Sequence, residues 1–253
     1  MEDTTLVTFL LDRSGSMDAC KAATIEGFNA YLATLRQATT PILFTLLQFD
    51  SQSLDKVCFE QVPAAVADLT NQSFVPRGGT PLIESCMKTI RAIAGKAVKP
   101  KVVVNFQTDG EENASGPEYT WDALKALIAE KTAQGWQFNF LGAGVDAYAH
   151  AQNAGVAAMA AMSYDHTNPH ATRAAFADSA LNATMFASGR SKNTEYSMQQ
   201  RRASGDMHAD RVFAGNTGAQ PVNLGTSEQN LDLSGPAPTS TARVTPPGLD
   251  LTQ

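Results

Sequence analysis

The sequence predicts a doubly wound α/β fold: a mostly parallel six-stranded sheet in the order 3-2-1-4-5-6, strand 3 antiparallel, with helices on both faces. Three observations predict it. Apolar, β-rich runs alternate with segments of helical periodicity along residues 4–187, the pattern of strands joined by right-handed crossovers. Two of those runs stop abruptly at an acid, Asp12 and Asp109. One link, Asp50-Ser51-Gln52-Ser53, is too short for a crossover helix, so the strand after it must return antiparallel at an edge.

Strand 1 covers residues 4–11 and runs into Asp12-Arg13-Ser14-Gly15-Ser16-Met17. A helix over residues 17–37 follows, with Ile25, Phe28, Leu32 and Leu35 on one face. Strand 2, residues 41–49, is apolar almost throughout, as a strand covered on both faces should be. Strand 3 spans residues 54–62, and residues 64–69 suggest a short helix. In the next loop, Gly78 and Gly79 permit unusual backbone angles and close approach. Thr80 before Pro81 reads as a hydroxyl N-cap with Pro at the first helical position. That helix runs to about residue 98, with Ile83, Cys86, Met87, Ile90 and Ile93 inward. Strand 4, residues 101–108, ends in Thr108-Asp109-Gly110-Glu111-Glu112-Asn113.

A helix over residues 118–133 carries Trp121, Leu124, Leu127 and Ile128 on one face, and Gly135 ends it. Strand 5 (136–141), a short helix (146–153) and a weaker strand 6 (157–164) follow. Asn168-Pro169 opens a last helix to residue 187 by the same cap logic. Beyond Ser188, Gly, Ser, Thr, Asn, Gln and Pro dominate. Residues 1–188 therefore read as one domain, and 189–253 as a low-complexity tail, disordered or ordered by a partner. Leu249-Asp250-Leu251 at its end reads as an unstructured terminus or a short docking motif.

With 43% hydrophobic residues the chain can bury a sizeable core, and a formal charge of −6 argues against a nucleic-acid partner. Cys20, Cys58 and Cys86 show no C-x-x-C spacing and read as buried thiols, which suits a reducing cytosol. Met1-Glu2-Asp3 carries no basic leader region, and no apolar run approaches the roughly 20 residues of a membrane span. The expectation is a cytoplasmic protein with no membrane partner.

In doubly wound sheets ligands bind at the C-terminal strand ends where strand order reverses. Here that point lies between strands 1 and 4, which end in Asp12 and Asp109. Asp12, Ser14 and Ser16 offer hard oxygens of the kind Mg²⁺, Mn²⁺ and Ca²⁺ prefer. Capping alone would also account for Ser16 and Thr80, and ordinary strand-end polarity for the two acids. Asp50 reads as a turn residue or as a support for the site. Glu111 and Glu112 read as a solvated loop or as shaping partner choice, and Arg13 and Arg77 as exposed or as steering an acidic partner. An aspartyl phosphatase would want a second acid where Ser14 stands. A serine nucleophile lacks both a G-x-S-x-G elbow and a nearby histidine. His150, His166, His170 and His208 read as surface residues without zinc spacing.

Taken together, Asp12-Arg13-Ser14-Gly15-Ser16, Gly78-Gly79-Thr80-Pro81 and Thr108-Asp109-Gly110 resemble the metal-ion-dependent adhesion site of the von Willebrand factor A family. That site combines D-x-S-x-S on a first loop, Thr on a second and Asp on a third. The resemblance covers about residues 4–187. It implies that Ser14 and Ser16 bind the cation directly, and that Thr80, Asp12 and Asp109 bind it directly or through water. The implied ion is Mg²⁺ or Mn²⁺, with Ca²⁺ as a further candidate, and an Asp or Glu of a protein partner completes its coordination. The implied function is non-enzymatic: a divalent-cation-dependent protein-binding module of the intracellular bacterial type. Such modules serve as adaptors beside a MoxR-type AAA+ ATPase or a kinase/phosphatase stress system. The alternatives are a metal-dependent phosphoester hydrolase using the same pocket, and an extracellular adhesin lacking its signal.

Overall fold

Every residue of the first strand, β1 (Thr5–Asp12), is buried, so its side chains must serve two layers at once. They alternate. Val7, Phe9 and Leu11 enter one apolar cluster, and Leu6 and Leu10 enter a second on the opposite face. The computed structural model describes residues 4–95 and 101–210. Its other strands are β2 (Ile42–Asp50), β3 (Ser53–Gln61), β4 (Lys101–Thr108), β5 (Gln137–Ala143) and β6 (Ala161–Tyr164). They form a six-stranded sheet in the order β3-β2-β1-β4-β5-β6. The β2–β3 pair is antiparallel and the other pairs are parallel. The predicted fold class is the observed one.

Helices α1 (Lys21–Arg36) and α5 (Pro169–Ala187) cover the first face; α2 (Leu82–Ala94), α3 (Trp121–Ala133) and α4 (Ala147–Ala154) cover the second. Phe9 lies between Phe28, Tyr31 and Phe176, with ring centroids 5.7, 4.8 and 5.6 Å away. The α1–α5 approach depends on Gly27: a Cβ there would lie 2.9 Å from the Phe176 ring and 3.2 Å from Thr172 Cγ2. Cys20, Cys58 and Cys86 are buried and free.

Several boundaries move for local reasons. The first helix does not begin at Met17. A 3₁₀ segment, Gly15–Cys20, precedes α1; its three-residue repeat stacks Met17 and Cys20 on one side, both buried. The expected helix over residues 64–69 reduces to one 3₁₀ turn, Pro63–Ala65. α2 stops at Ala94 before Gly95, and residues 96–98 of the expected helix lie outside the described residues. Strand 6 shrinks to four residues behind a 3₁₀ turn, Ala158–Ala160.

Residues 189–210, read from sequence as the start of a tail, are described with the domain. Up to residue 210 the chain packs on the domain and forms α6 (Met198–Ala203), opened by a Ser197–Gln200 capping box. Thr194 Oγ1 donates to Asn139 Oδ1 at 2.6 Å, and Tyr196 is hydrogen-bonded through its hydroxyl to Ser179. Arg201, fully buried, donates to Tyr148 Oη at 2.5 Å and to the carbonyls of Ala161 and Met159. The groups that anchor this segment are polar, which is why composition alone reads it as tail. Residues 211–253, including Leu249-Asp250-Leu251, lie outside the described residues.

Phe9→Ala should cost about 3–5 kcal/mol, as large-to-small substitutions at aromatic core positions do. Urea denaturation monitored by circular dichroism checks this.

Candidate metal site

β1 and β4 are hydrogen-bonded neighbours whose C-terminal ends lie side by side. The loops leaving them carry Asp12 and Asp109, and a loop before α2 joins from across the crevice. Two backbone contacts fasten the first loop to the second, and a third ties the second loop to the β2–β3 turn. Gly15 N–H donates to Gly78 O at 3.0 Å, Arg77 N–H to Arg13 O at 2.9 Å, and Ser51 N–H to Gly79 O at 3.0 Å. Gly78 is required here. Its φ is +66°, and a Cβ would lie 2.4 Å from Ser51 Oγ.

Arg13 and Arg77 both pair with Asp50, Arg13 from a buried position and Arg77 from an exposed one. Arg13 is 8% exposed, and its Nε donates to Asp50 Oδ2 at 2.8 Å. Its other nitrogens reach Gln48, Ser53 and Asp55. Arg77 Nε donates to the same Asp50 oxygen at 2.9 Å. Asp50, read from sequence as a turn residue or a support, does both. Its Oδ1 accepts from the N–H groups of Gln52 and Ser53, turning the β2–β3 hairpin, while Oδ2 holds both guanidinium groups. Burial pushes its carboxyl up, but these partners outweigh that effect and hold it below the usual carboxylate range.

The third loop is tied to the second by Asn113 and by Glu112, which the sequence reads as a solvated loop or as shaping partner choice. Glu112 Oε2 accepts from the Ile83 N–H at 2.8 Å and thus caps α2, while Oε1 accepts from Ala114 and Ser115. Asn113 Oδ1 accepts from the Thr80 N–H at 2.8 Å, and the Asn113 N–H donates back to Thr80 O. Glu111 is exposed, as expected for a solvated loop.

These ties correct the capping reading of Thr80. α2 begins at Leu82 with Pro81 at its N-cap and no side-chain capping bond, so the Thr80 hydroxyl is not used there. Ser14, at the N-cap of the 3₁₀ segment, makes no side-chain cap either. The hydroxyls gather instead. Ser14 Oγ and Ser16 Oγ are 3.1 Å apart, and Ser16 Oγ donates to Asp109 Oδ1 at 2.8 Å. Ser16 Oγ and Thr80 Oγ1 each lie 3.6 Å from the point where a side chain on Gly110 would start. Asp12 is fully buried, with the Ser14 N–H on Oδ1 at 2.7 Å and the Thr108 hydroxyl on Oδ2 at 2.5 Å. Thr108 stands in the third-loop motif without an assigned role; its place beside Asp12 follows from strand register, which no local pattern displays.

All five predicted residues, Asp12, Ser14, Ser16, Thr80 and Asp109, are therefore brought to the end of the β1–β4 crevice. Burial raises the Asp12 carboxyl to about 6 against the hydrogen bonds from Thr108 and Ser14, and the Asp109 charge adds to the rise. Asp109 is also raised, by burial first. Two crowded carboxylates with neutral hydroxyls between them form a donor set that a hard divalent cation fits. Among the described residues no three His, Cys, Asp or Glu side chains are placed to hold a metal ion together, so a site of the zinc type has no equivalent there.

The histidines are less exposed than expected. His150, His166 and His208 are partly buried, and only His170 is exposed; His150 stacks on Phe140 at 5.7 Å.

Two outcomes follow. Asp50→Ala takes from the buried Arg13 guanidinium one of its two carboxylates, Asp55 remaining, and should destabilise by about 1–3 kcal/mol in chemical denaturation. Asp12 titrates near 6 when folded and near 3.8 when unfolded, so its stabilising contribution is complete below pH 3.8 and lost as pH rises through 6. In EDTA the full chain should lose up to about 3 kcal/mol of stability across that window relative to Asp12→Asn. Urea midpoints at stepped pH test it.

No family profile matches the sequence, and no curated protein sequence matches it. Solved structures do match its fold. A von Willebrand factor type A protein from Catenulispora acidiphila is 17% identical with a TM-score of 0.53; the match covers 72% of this chain and 43% of that one. The von Willebrand factor domain of the type V pilus tip protein from Porphyromonas gingivalis is 10% identical with a TM-score of 0.57, covering 73% of this chain and 96% of that one. The manganese-loaded TRAP protein of Plasmodium vivax is 14% identical with a TM-score of 0.52, covering 70% and 74%. The chain thus spans less than half of the Catenulispora chain but nearly all of the pilus-tip domain, and its described part has the fold of von Willebrand factor A domains.

Proposed function

We propose that this protein is a divalent-cation-dependent protein-binding module. Asp12, Ser14, Ser16, Thr80 and Asp109 would hold the ion, Mg²⁺ or Mn²⁺, with Ca²⁺ a further candidate. One observation carries the reading: oxygen side chains from three separated loops meet at one point, with the serine and threonine hydroxyls left over from helix capping. The manganese in the Plasmodium neighbour supports the choice of ion class.

A bound cation would supply a Lewis-acidic position for a carboxylate offered from outside. The chain's own residues do the rest. Asp12 and Asp109 provide charge, and neutral hydroxyls supply the other contacts, leaving the ion short of negative charge. The Thr108 hydroxyl and the Ser14 N–H orient Asp12. The Arg13–Asp50–Arg77 cluster keeps the first and second loops together. The partner would contribute an Asp or Glu side chain.

The reading includes a cytoplasmic adaptor, working beside a MoxR-type AAA+ ATPase or a kinase/phosphatase system. The three buried free thiols support it. Among the described residues no helix is long and apolar enough to cross a membrane. A second reading, an adhesin, is favoured by the pilus-tip neighbour.

The deciding experiment is calorimetry with MgCl₂ and MnCl₂ on the full chain, followed by affinity capture from native lysate in Mg²⁺ and in EDTA. Wild type should take up one ion per chain, and Asp109→Ala should lose at least roughly tenfold in affinity. Affinity should fall as pH drops through 6, because Asp12 must release its proton to bind. Partners lost both in EDTA and with Asp109→Ala support the module; undiminished capture in both overturns it. Phosphoester turnover abolished by Asp12→Asn would favour the hydrolase instead.

A further inference from the structure

Beside the candidate metal site lies a cavity of about 440 Å³ that the proposed function leaves unused. It opens between the loop after β4, the start of α3 and the start of α4. Its lining includes Glu111, Glu112, Asp146, Trp121, His150 and Asn153. Three of these are carboxylates, and no lysine or arginine lines it.

The lining carboxylates differ in how far they are engaged. Glu112 caps α2. Asp146 accepts from the N–H groups of Tyr148 and Ala149 and faces His208 at 3.8 Å. Glu111 is exposed and makes no hydrogen bond or ion pair among the described residues. The wall is aromatic. Trp121 packs against His150 at 6.5 Å, and His150 lies flat on Phe140. Burial lowers the His150 pKa, keeping the ring neutral, and its Nδ1 is shielded without a hydrogen-bond partner. An anionic rim over a neutral aromatic wall suits a cation carried on a hydrocarbon stem.

We propose that this cavity receives a basic side chain of the partner segment whose carboxylate occupies the metal site. The inference rests on the proposed function. It states the partner's chemistry: an acidic residue flanked by arginine or lysine, with arginine favoured because a planar guanidinium stacks on indole while pairing with carboxylate. Glu111 reaches the same loop as Asp109, so the two positions are read by one short segment.

The test uses N-acetyl-arginine methylamide as probe and N-acetyl-norleucine methylamide as the uncharged control, at matched ionic strength. Both are titrated into ¹⁵N-labelled full chain with Mg²⁺ and again with EDTA. The chain has two tryptophans, and Trp136 is buried, so their indole N–H signals report separately. The arginine probe should move the Trp121 indole signal saturably in both buffers, with Trp136 still and the control inert. Glu111→Gln should weaken the response roughly fivefold, the loss of one exposed ion pair. No saturable shift, an equal shift with norleucine, or an unchanged Glu111→Gln response overturns the proposal. Because the probe needs no cation, a chain that answers arginine but not MgCl₂ sinks the metal reading alone. One that answers MgCl₂ but not arginine sinks the cavity alone.

Discussion

Asp50 ends β2 at 2% exposure, with two guanidinium groups on one of its oxygens and two backbone N–H groups on the other. Two of the three loops of the candidate site lean on that cluster. Arg13 belongs to the loop that carries Asp12, Ser14 and Ser16, and Arg77 to the loop that carries Thr80. One buried carboxylate therefore sets the separation of two loops far apart in sequence. A buried charge is costly unless paired and hydrogen-bonded. Here both oxygens are satisfied, so the arrangement is rigid as well as tolerated.

That rigidity matters because the site itself is strained electrostatically. Asp12 and Asp109 repel, and burial raises both. Without a cation the protein holds them by hydrogen bonds from Ser14, Ser16 and Thr108, and by leaving Asp12 partly protonated near pH 6. A fold that crowds carboxylates in this way is destabilised at neutral pH unless something positive relieves the crowding. The loops cannot spread apart to relieve it themselves, because Glu112 and Asn113 bind the third loop to the start of α2.

The same economy of polar contacts appears at the far end of the sheet. β6 is only four residues long and would leave an open edge. The segment from Ser191 to Ala209 closes over it, with Arg201 taking carbonyls of the Ala158–Ala160 turn and of Ala161. Asn105, Asn139, Ser179, Thr194 and Tyr196 form a buried hydrogen-bonded seam that joins β4, β5 and α5 to this segment. Such a seam gains only when fully satisfied, and it fixes the position of α5 against the sheet.

Periodicity in the chain was sufficient for the sheet. The apolar, β-rich runs of β1 and β2 identify buried strands, and the short 50–53 link forces β3 back antiparallel. That five oxygen-bearing residues lie near one crevice was also legible, because their types and order are local facts. What the sequence could not state was which neighbour each polar group meets. Thr80 reads as a helix cap until Pro81 is seen at the N-cap and Asn113 on the Thr80 backbone. Arg13 reads as exposed until Asp50 draws it inward, whereas Arg77 pairs with the same carboxylate and stays exposed. Residues 189–210 read as tail because polar anchors look the same in water as in a core. Secondary structure follows from the spacing of apolar side chains along one segment. The meaning of a polar side chain is set by partners that arrive from dozens of residues away, and only the folded chain supplies them.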